Sequence, residues 1–193
     1  MKFSQREIRD LAISVFVLAF AFSGFDFSMM IPTLFVITVV FASHEILGHK
    51  LAAQHFECDA EYKMWPLGLG LGLITGLLGG FIFAAPGAVY ISPVIKRGFA
   101  FNVGRLTKKE FGIIAAAGPF VNIVIGFALI LISFFVMPWY IFILTAKISF
   151  ILALFNLIPF PPLDGQKIMG WDNRVWVALL ASAIIGYSLL TYL

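Results

Sequence analysis

The sequence predicts an all-α polytopic membrane protein with about five transmembrane helices and a re-entrant or interfacial β-hairpin. Three observations lead there. Of 193 residues, 61% are hydrophobic and only 12% charged, about half the ~25% charged share of soluble domains. Long uncharged runs recur along the chain. The basic residues fall almost entirely on one side of the spans those runs define. No long polar linker or low-complexity tail interrupts the pattern, so residues 1–193 read as a single membrane-embedded domain.

The first uncharged run, 11–25, is short for a crossing that needs ~20 residues, and flanking residues or local bilayer thinning must complete it. The second span is 27–53; its uncharged part, 27–43, runs into a polar cluster. The third is 111–136. A Met137-Pro138 break, where proline cannot continue a helix, separates it from the fourth, 138–159. The fifth is 175–193. Lys2, Arg6 and Arg9 precede a run without a small-residue cleavage site, so the N-terminus is not expected to be a cleavable signal.

With the N-terminus inside, twelve of the thirteen basic residues share one face: Lys2, Arg6, Arg9, Lys50, Lys63, Lys96, Arg97, Arg105, Lys108, Lys109, Lys167 and Arg174. The positive-inside rule makes that face cytoplasmic and places the chain in the cell membrane as a multi-pass protein. Lys147 falls mid-span, to snorkel towards Asp26 or line a wet cavity. The lone Cys58 forms no internal disulfide and suits a reducing face. No stretch interleaves basic and aromatic residues as a nucleic-acid surface would.

Segment 64–95 begins and ends on the same side. Gly68, Gly72, Gly76 and Gly80 are spaced as a small-residue ridge for helix packing. The later part, 81–92, reads as strand, Pro86-Gly87 turn, strand. Such backbone at membrane depth requires protein or a wet cavity around it. The expectation is a re-entrant or interfacial hairpin, with a helical hairpin as the alternative.

The polar cluster is Ser43-His44-Glu45-Ile46-Leu47-Gly48-His49-Lys50. An acid or base near the centre of a membrane helix costs roughly 2.5–3.5 kcal/mol even on lenient scales, which makes these residues functional candidates. Two imidazoles and a carboxylate suggest a metal site with its own base. In the zincin motif His-Glu-x-x-His, the ligands sit at i and i+4 on one helix face and the Glu is the general base. Here the histidines are at i and i+5, which on a regular helix rotates them about 140° apart. Either a π-bulge, with its i to i+5 bonding, absorbs the extra residue, or Glu45 and His49 form the i,i+4 pair and His44 does something else. A lone buried His is usually a satisfied core residue; three such groups together are harder to assign to packing. His55, near Glu57 and Asp59, reads as solvated or interfacial. Asp164, in Pro162-Leu163-Asp164-Gly165, is a candidate third ligand, although that tetrapeptide is also an ordinary turn or cap. Asn156 could ligate, hold a substrate backbone or tie two helices together. Asn122 could equally be helix glue, and Gly118-Pro119 could simply start a helix.

Three separated motifs resemble the site-2 protease family of intramembrane zinc metallopeptidases, particularly its short prokaryotic forms. They are His-Glu…Gly-His-Lys at 44–50, Ala-Ala-Ala-Gly-Pro-Phe-Val-Asn at 115–122, and Phe-Asn-Leu-Ile-Pro-Phe-Pro-Pro-Leu-Asp-Gly at 155–165. The resemblance implies that His44, His49 and Asp164 ligate one Zn2+ and that Glu45 is the general base. It places Asn122 near the scissile carbonyl as an oxyanion donor, and has 115–122 begin a core helix. It also implies that the 80–92 region offers an edge strand to an unwound substrate. The departure is the extra residue between His44 and His49.

The function expected is an intramembrane zinc endopeptidase acting on transmembrane segments of membrane proteins near the cytoplasmic face. Two His and one carboxylate leave zinc an open position for water. The alternatives are an inactive relative that binds membrane segments, favoured by the extra residue, and a small transporter, which would usually show internal repeats that are absent here. A haem bundle is more distant, because His44 and His49 on one helix cannot ligate opposite haem faces. Oligomeric state is not legible.

Overall fold

The computed structural model describes residues 3–79, 82–93, 106–136 and 139–192. Lys2, Gly80, Phe81, Lys96, Arg97, Arg105, the Met137-Pro138 break and the end of the expected 64–95 hairpin lie outside them. Helix α1 (Gln5–Phe22) starts at Ser4, whose hydroxyl accepts the Glu7 N–H at 3.0 Å, an N-cap. Asp26 caps α2 (Phe27–Ala42) in the same way. Without a break α2 becomes a π-helical segment, Ser43–Lys50, and then α3 (Leu51–His55). Strand β1 (Cys58–Met64), α4 (Pro66–Leu78) and β2 (Gly87–Pro93) follow. Thr107 and Glu110 form a reciprocal capping box that opens α5 (Lys108–Phe135). Then come α6 (Tyr140–Asn156), α7 (Asp164–Trp171) and α8 (Asn173–Leu189).

Among the described residues, three helical stretches are long and apolar enough to cross a membrane: Phe27–His55, Lys108–Phe135 and Asn173–Tyr192. Helix α6 is apolar but shorter, and α1, at 18 residues, is charged in its first turns. Exposed apolar side chains such as Ile31, Phe35, Phe134 and Phe135 are the surface expected of a chain whose solvent is lipid. The expected fold class holds: a mostly helical membrane-type protein with a small antiparallel β-element.

The position of that element differs from expectation. β1 and β2 pair antiparallel, with Cys58 opposite Pro93 and Met64 opposite Gly87. Pro86-Gly87 is therefore the entry to β2 rather than a turn between strands at 81–92. The missed strand, β1, alternates exposed or half-buried Asp59, Glu61 and Lys63 with buried Cys58, Ala60 and Tyr62. Those charges kept it out of any apolar run, although the two-residue alternation is a strand signature. Between the strands, 66–78 is helical. Gly68, Gly72 and Gly76 are buried on one face of α4, as a packing ridge requires. A Cβ on Gly76 would lie 3.0 Å from Ala21 of α1.

Carboxylates on α1 organise this corner. Glu7 accepts two bonds of 2.6 Å from Lys50 Nζ and one of 3.2 Å from the Tyr62 N–H. Asp10 accepts the Met64 N–H at 3.2 Å. The Ser14 hydroxyl meets the Tyr62 hydroxyl at 2.8 Å, and Ser4 donates to Glu61, holding that carboxyl below its usual range. Two N–H groups of β1 that turn away from β2, those of Tyr62 and Met64, are thus capped by α1. Lys50, counted among the basic residues of the cytoplasmic face, is 3% exposed and ion-paired, because Glu7 comes to meet it. Beneath lies a core shared by α1, α2 and α6, including Leu18, Ile37, Phe41 and Leu152. A second core joins α5, α6 and α8 around Phe150.

Removing one partner of a buried ion pair typically costs about 3–5 kcal/mol, far more than replacing both. Glu7→Ala should therefore lower the thermal unfolding midpoint in detergent markedly. The double change Glu7→Gln with Lys50→Met should lower it less. Equal losses would mean that the pair itself supplies the stability.

Candidate metal centre

The i,i+5 spacing is accommodated by the backbone. Across Ser43–Lys50 the helix is π-helical, and the Leu51 N–H reaches back five residues to the Ile46 carbonyl. Residues five apart consequently stack on one face. His44 Nε2 and His49 Nε2 converge to 3.1 Å, with the rings edge to face at 80°. The first of the two repairs considered for the sequence is the one the backbone adopts.

Asp164 reaches the same point from the first turn of α7, where a carboxylate complements the helix N-terminus. Its Oδ2 is 3.0 Å from His49 Nε2 and 3.6 Å from His44 Nε2. Its Oδ1 accepts from Lys167 Nζ at 2.9 Å. Lys167 thereby occupies one carboxylate oxygen and leaves the other facing the imidazoles. His44, His49 and Asp164 are all buried, and one ligand atom from each lies within 4.8 Å of the others, a group that could hold a metal ion.

Behind the imidazoles stands α5. The Ile114 carbonyl is 2.8 Å from His49 Nδ1; a carbonyl only accepts, so Nδ1 carries the proton there and Nε2 faces Asp164 and His44. Asn122 meets His44 Nδ1 at 3.0 Å. Gly118, between them, faces both rings: a Cβ there would collide with His49 Nε2 and lie 2.7 Å from His44 Nε2. A side chain at 118 would fill the space on which the nitrogens converge. That space, ringed by two nitrogens and a carboxylate oxygen, fits a small cation; two His and a carboxylate are a known zinc donor set. The backbones are also close, since a Cβ on Gly48 would lie 2.6 Å from Gly118 Cα. Pro119 is inside α5, so 115–122 is mid-helix and does not begin it. The charged turn 108–110 belongs to the helix through its capping box.

Two proteins are similar to this chain in sequence. A Methanocaldococcus jannaschii protein named "Putative zinc metalloprotease MJ0611" is 38% identical over 194 residues, covering 97% of this chain and 95% of its own length. The chain belongs to the site-2 protease family of zinc metallopeptidases. A Bacillus subtilis protein named "Putative zinc metalloprotease YwhC" is 29% identical over 77% of this chain and 72% of its own. No protein-family model matches the chain. No solved structure matches it either.

Within this family frame the remaining candidates separate. Glu45 is buried, lines a small cavity together with His49 and Asp164, and has an Oε2 with no hydrogen-bond partner. Asn156 lines the same cavity; its amide donates to Leu152 within its own helix rather than tying two helices together. Asn122 is fully buried behind His44 and lines neither of the two cavities beside His49 and Asp164. His55 is exposed, as expected, and Lys147 is exposed on α6. Sequence reasoning passed over Lys167, Gly48, Gly118 and the Ile114 carbonyl. Lys167, three residues after Asp164 on a helix, carried a usable spacing signal; a backbone carbonyl carries none.

Gly118→Ala, a change that ordinarily favours a helix, should abolish metal retention while leaving the helical circular dichroism in place. Metal content of the purified variant, by elemental analysis, checks this; full occupancy would show that the ion sits elsewhere.

Proposed function

We propose that the protein is an intramembrane zinc endopeptidase that cleaves membrane-anchored proteins near the cytoplasmic face. His44, His49 and Asp164 are its zinc ligands and Glu45 is its general base. The observation that carries this reading is the convergence of two Nε2 atoms and one carboxylate oxygen on the space left by Gly118. When bound, zinc would acidify a water in its open position and polarise the substrate carbonyl.

The chain's own residues serve the other requirements. Glu45, in a cavity on the scale of a single water, has a free oxygen to take a proton and return it to the leaving amine. Hydrolysis also needs an extended substrate, because a helix hides its carbonyls. In an antiparallel pair, residues outside the hydrogen-bonded pairs point their N–H and C=O away from the partner. The Tyr62 N–H bonds Glu7 rather than β2, so its opposite, Val89, presents N–H and C=O on the outer edge of β2, with Gly87 and Ile91 in the same phase. Val89 lines both cavities beside His49 and Asp164. With β1 capped by α1, a substrate strand would add to β2. The cytoplasmic placement rests on the basic residues that flank the spans. The extra residue in the His-Glu motif was the support for a non-cleaving relative, and the π segment accommodates it.

The test is cleavage of a single-span substrate in vesicles. Glu45→Gln should retain zinc and lose activity on the order of 10²–10⁴-fold, the usual contribution of a general base. Val89→Pro, which removes the central N–H of the open edge, should impair cleavage while leaving zinc content unchanged. Zinc-loaded wild type that cuts no substrate would transfer the lead to the membrane-segment binder.

A further inference from the structure

The Asn122 amide is fully buried. Its Nδ2 lies 3.0 Å from His44 Nδ1, and its Oδ1 has no hydrogen-bond partner among the described residues. The two ends of a side-chain amide have the same shape, so a half-turn about its last bond exchanges them without disturbing the packing. The two orientations impose opposite states on His44. With Nδ2 towards the ring, the amide donates to a bare Nδ1, and the ring proton sits on Nε2, where it blocks ligation. With Oδ1 towards the ring, the amide accepts from Nδ1–H. That turns the Nε2 lone pair towards His49 and Asp164 and also gives Oδ1 its missing partner.

We infer that Asn122 is a positioning residue for the metal centre: its carbonyl oxygen holds His44 as the Nδ1–H tautomer, so that Nε2 is the ligand. The inference rests on the zinc reading above, and it gives Asn122 a different task from the oxyanion contact implied by family resemblance. It pairs with the Ile114 carbonyl, which does the same for His49. Both imidazoles are then oriented from one helix, α5, with Gly118 between the two acceptors. Outer partners of this kind fix ring orientation and ligand basicity.

The experiment is zinc affinity by chelator competition on the purified full-length protein. It is read beside the visible spectrum of the cobalt-substituted form and the thermal midpoint of the metal-free form. Asn122→Leu, similar in size but without an acceptor, should weaken zinc binding 10–100-fold and alter the cobalt spectrum. Asn122→Ala, which relieves any steric fault of leucine, should do the same. Asn122→Asp, which can only accept, should keep affinity within a few-fold of wild type. Unchanged affinity and spectrum in folded Leu and Ala variants would overturn the inference, as would equal losses in Asp and Leu. Wild type that holds no metal would overturn both this inference and the zinc reading. Wild type that binds zinc but cleaves nothing would sink only the protease reading, because the affinity series is independent of cleavage.

Discussion

A helix normally points residues five apart in different directions, and here two of them, His44 and His49, converge to 3.1 Å. The π segment Ser43–Lys50 resolves that conflict, and much of the surrounding structure depends on it. It brings His44 and His49 together, and its wider backbone turns Gly48 against Gly118 of α5. A Cβ on Gly48 would meet the backbone of Gly118, and one on Gly118 would meet the two imidazoles. The contact brings α5 close enough for the Ile114 carbonyl and the Asn122 amide to reach the far sides of the imidazoles. Alternative backbone bonding of this kind is frequent at functional sites, where geometry outweighs local regularity.

The second organising feature is the use of buried charge to join elements distant in sequence. Glu7 and Asp10 project from α1 into β1, satisfy two of its outward N–H groups, and in the case of Glu7 also neutralise Lys50 from the end of the π segment. An N-terminal helix, a strand and the helix that carries His44 and His49 are thereby tied at one corner. In a low-dielectric setting such groups are costly unless paired, so the pairing specifies how the elements dock. Among the described residues β1 and β2 form a two-stranded ribbon; α1 caps Tyr62 and Met64 of β1, and Val89 of β2 lines the cavities beside His49 and Asp164.

Much of the site was legible in the chain because membrane segments tolerate few polar groups. His44, Glu45, His49 and Asp164 stand out against apolar neighbours, and three of them meet as a candidate ion site. The π-bulge, too, could be named in advance as one solution, because the spacing itself posed the problem. Legibility failed where function lies in backbone or in a charge paired across the fold. The strand 58–64 was hidden by Asp59, Glu61 and Lys63, and the ion pair of Lys50 was hidden because its partner Glu7 is 43 residues away. Gly118 reads as a helix starter until the imidazoles opposite it are in view.

By itself, then, the sequence determined the membrane class, the helical runs and the identity of the candidate ligands. Each follows from local chemistry: hydropathy over a run of residues, or a polar group whose presence in such a run is costly. The tertiary structure alone decided which residues orient those ligands, which strand pairs with β2, and where Lys50 finds its counter-charge. Those outcomes depend on distances between segments far apart in the chain, and hydropathy and spacing along the chain do not encode such distances.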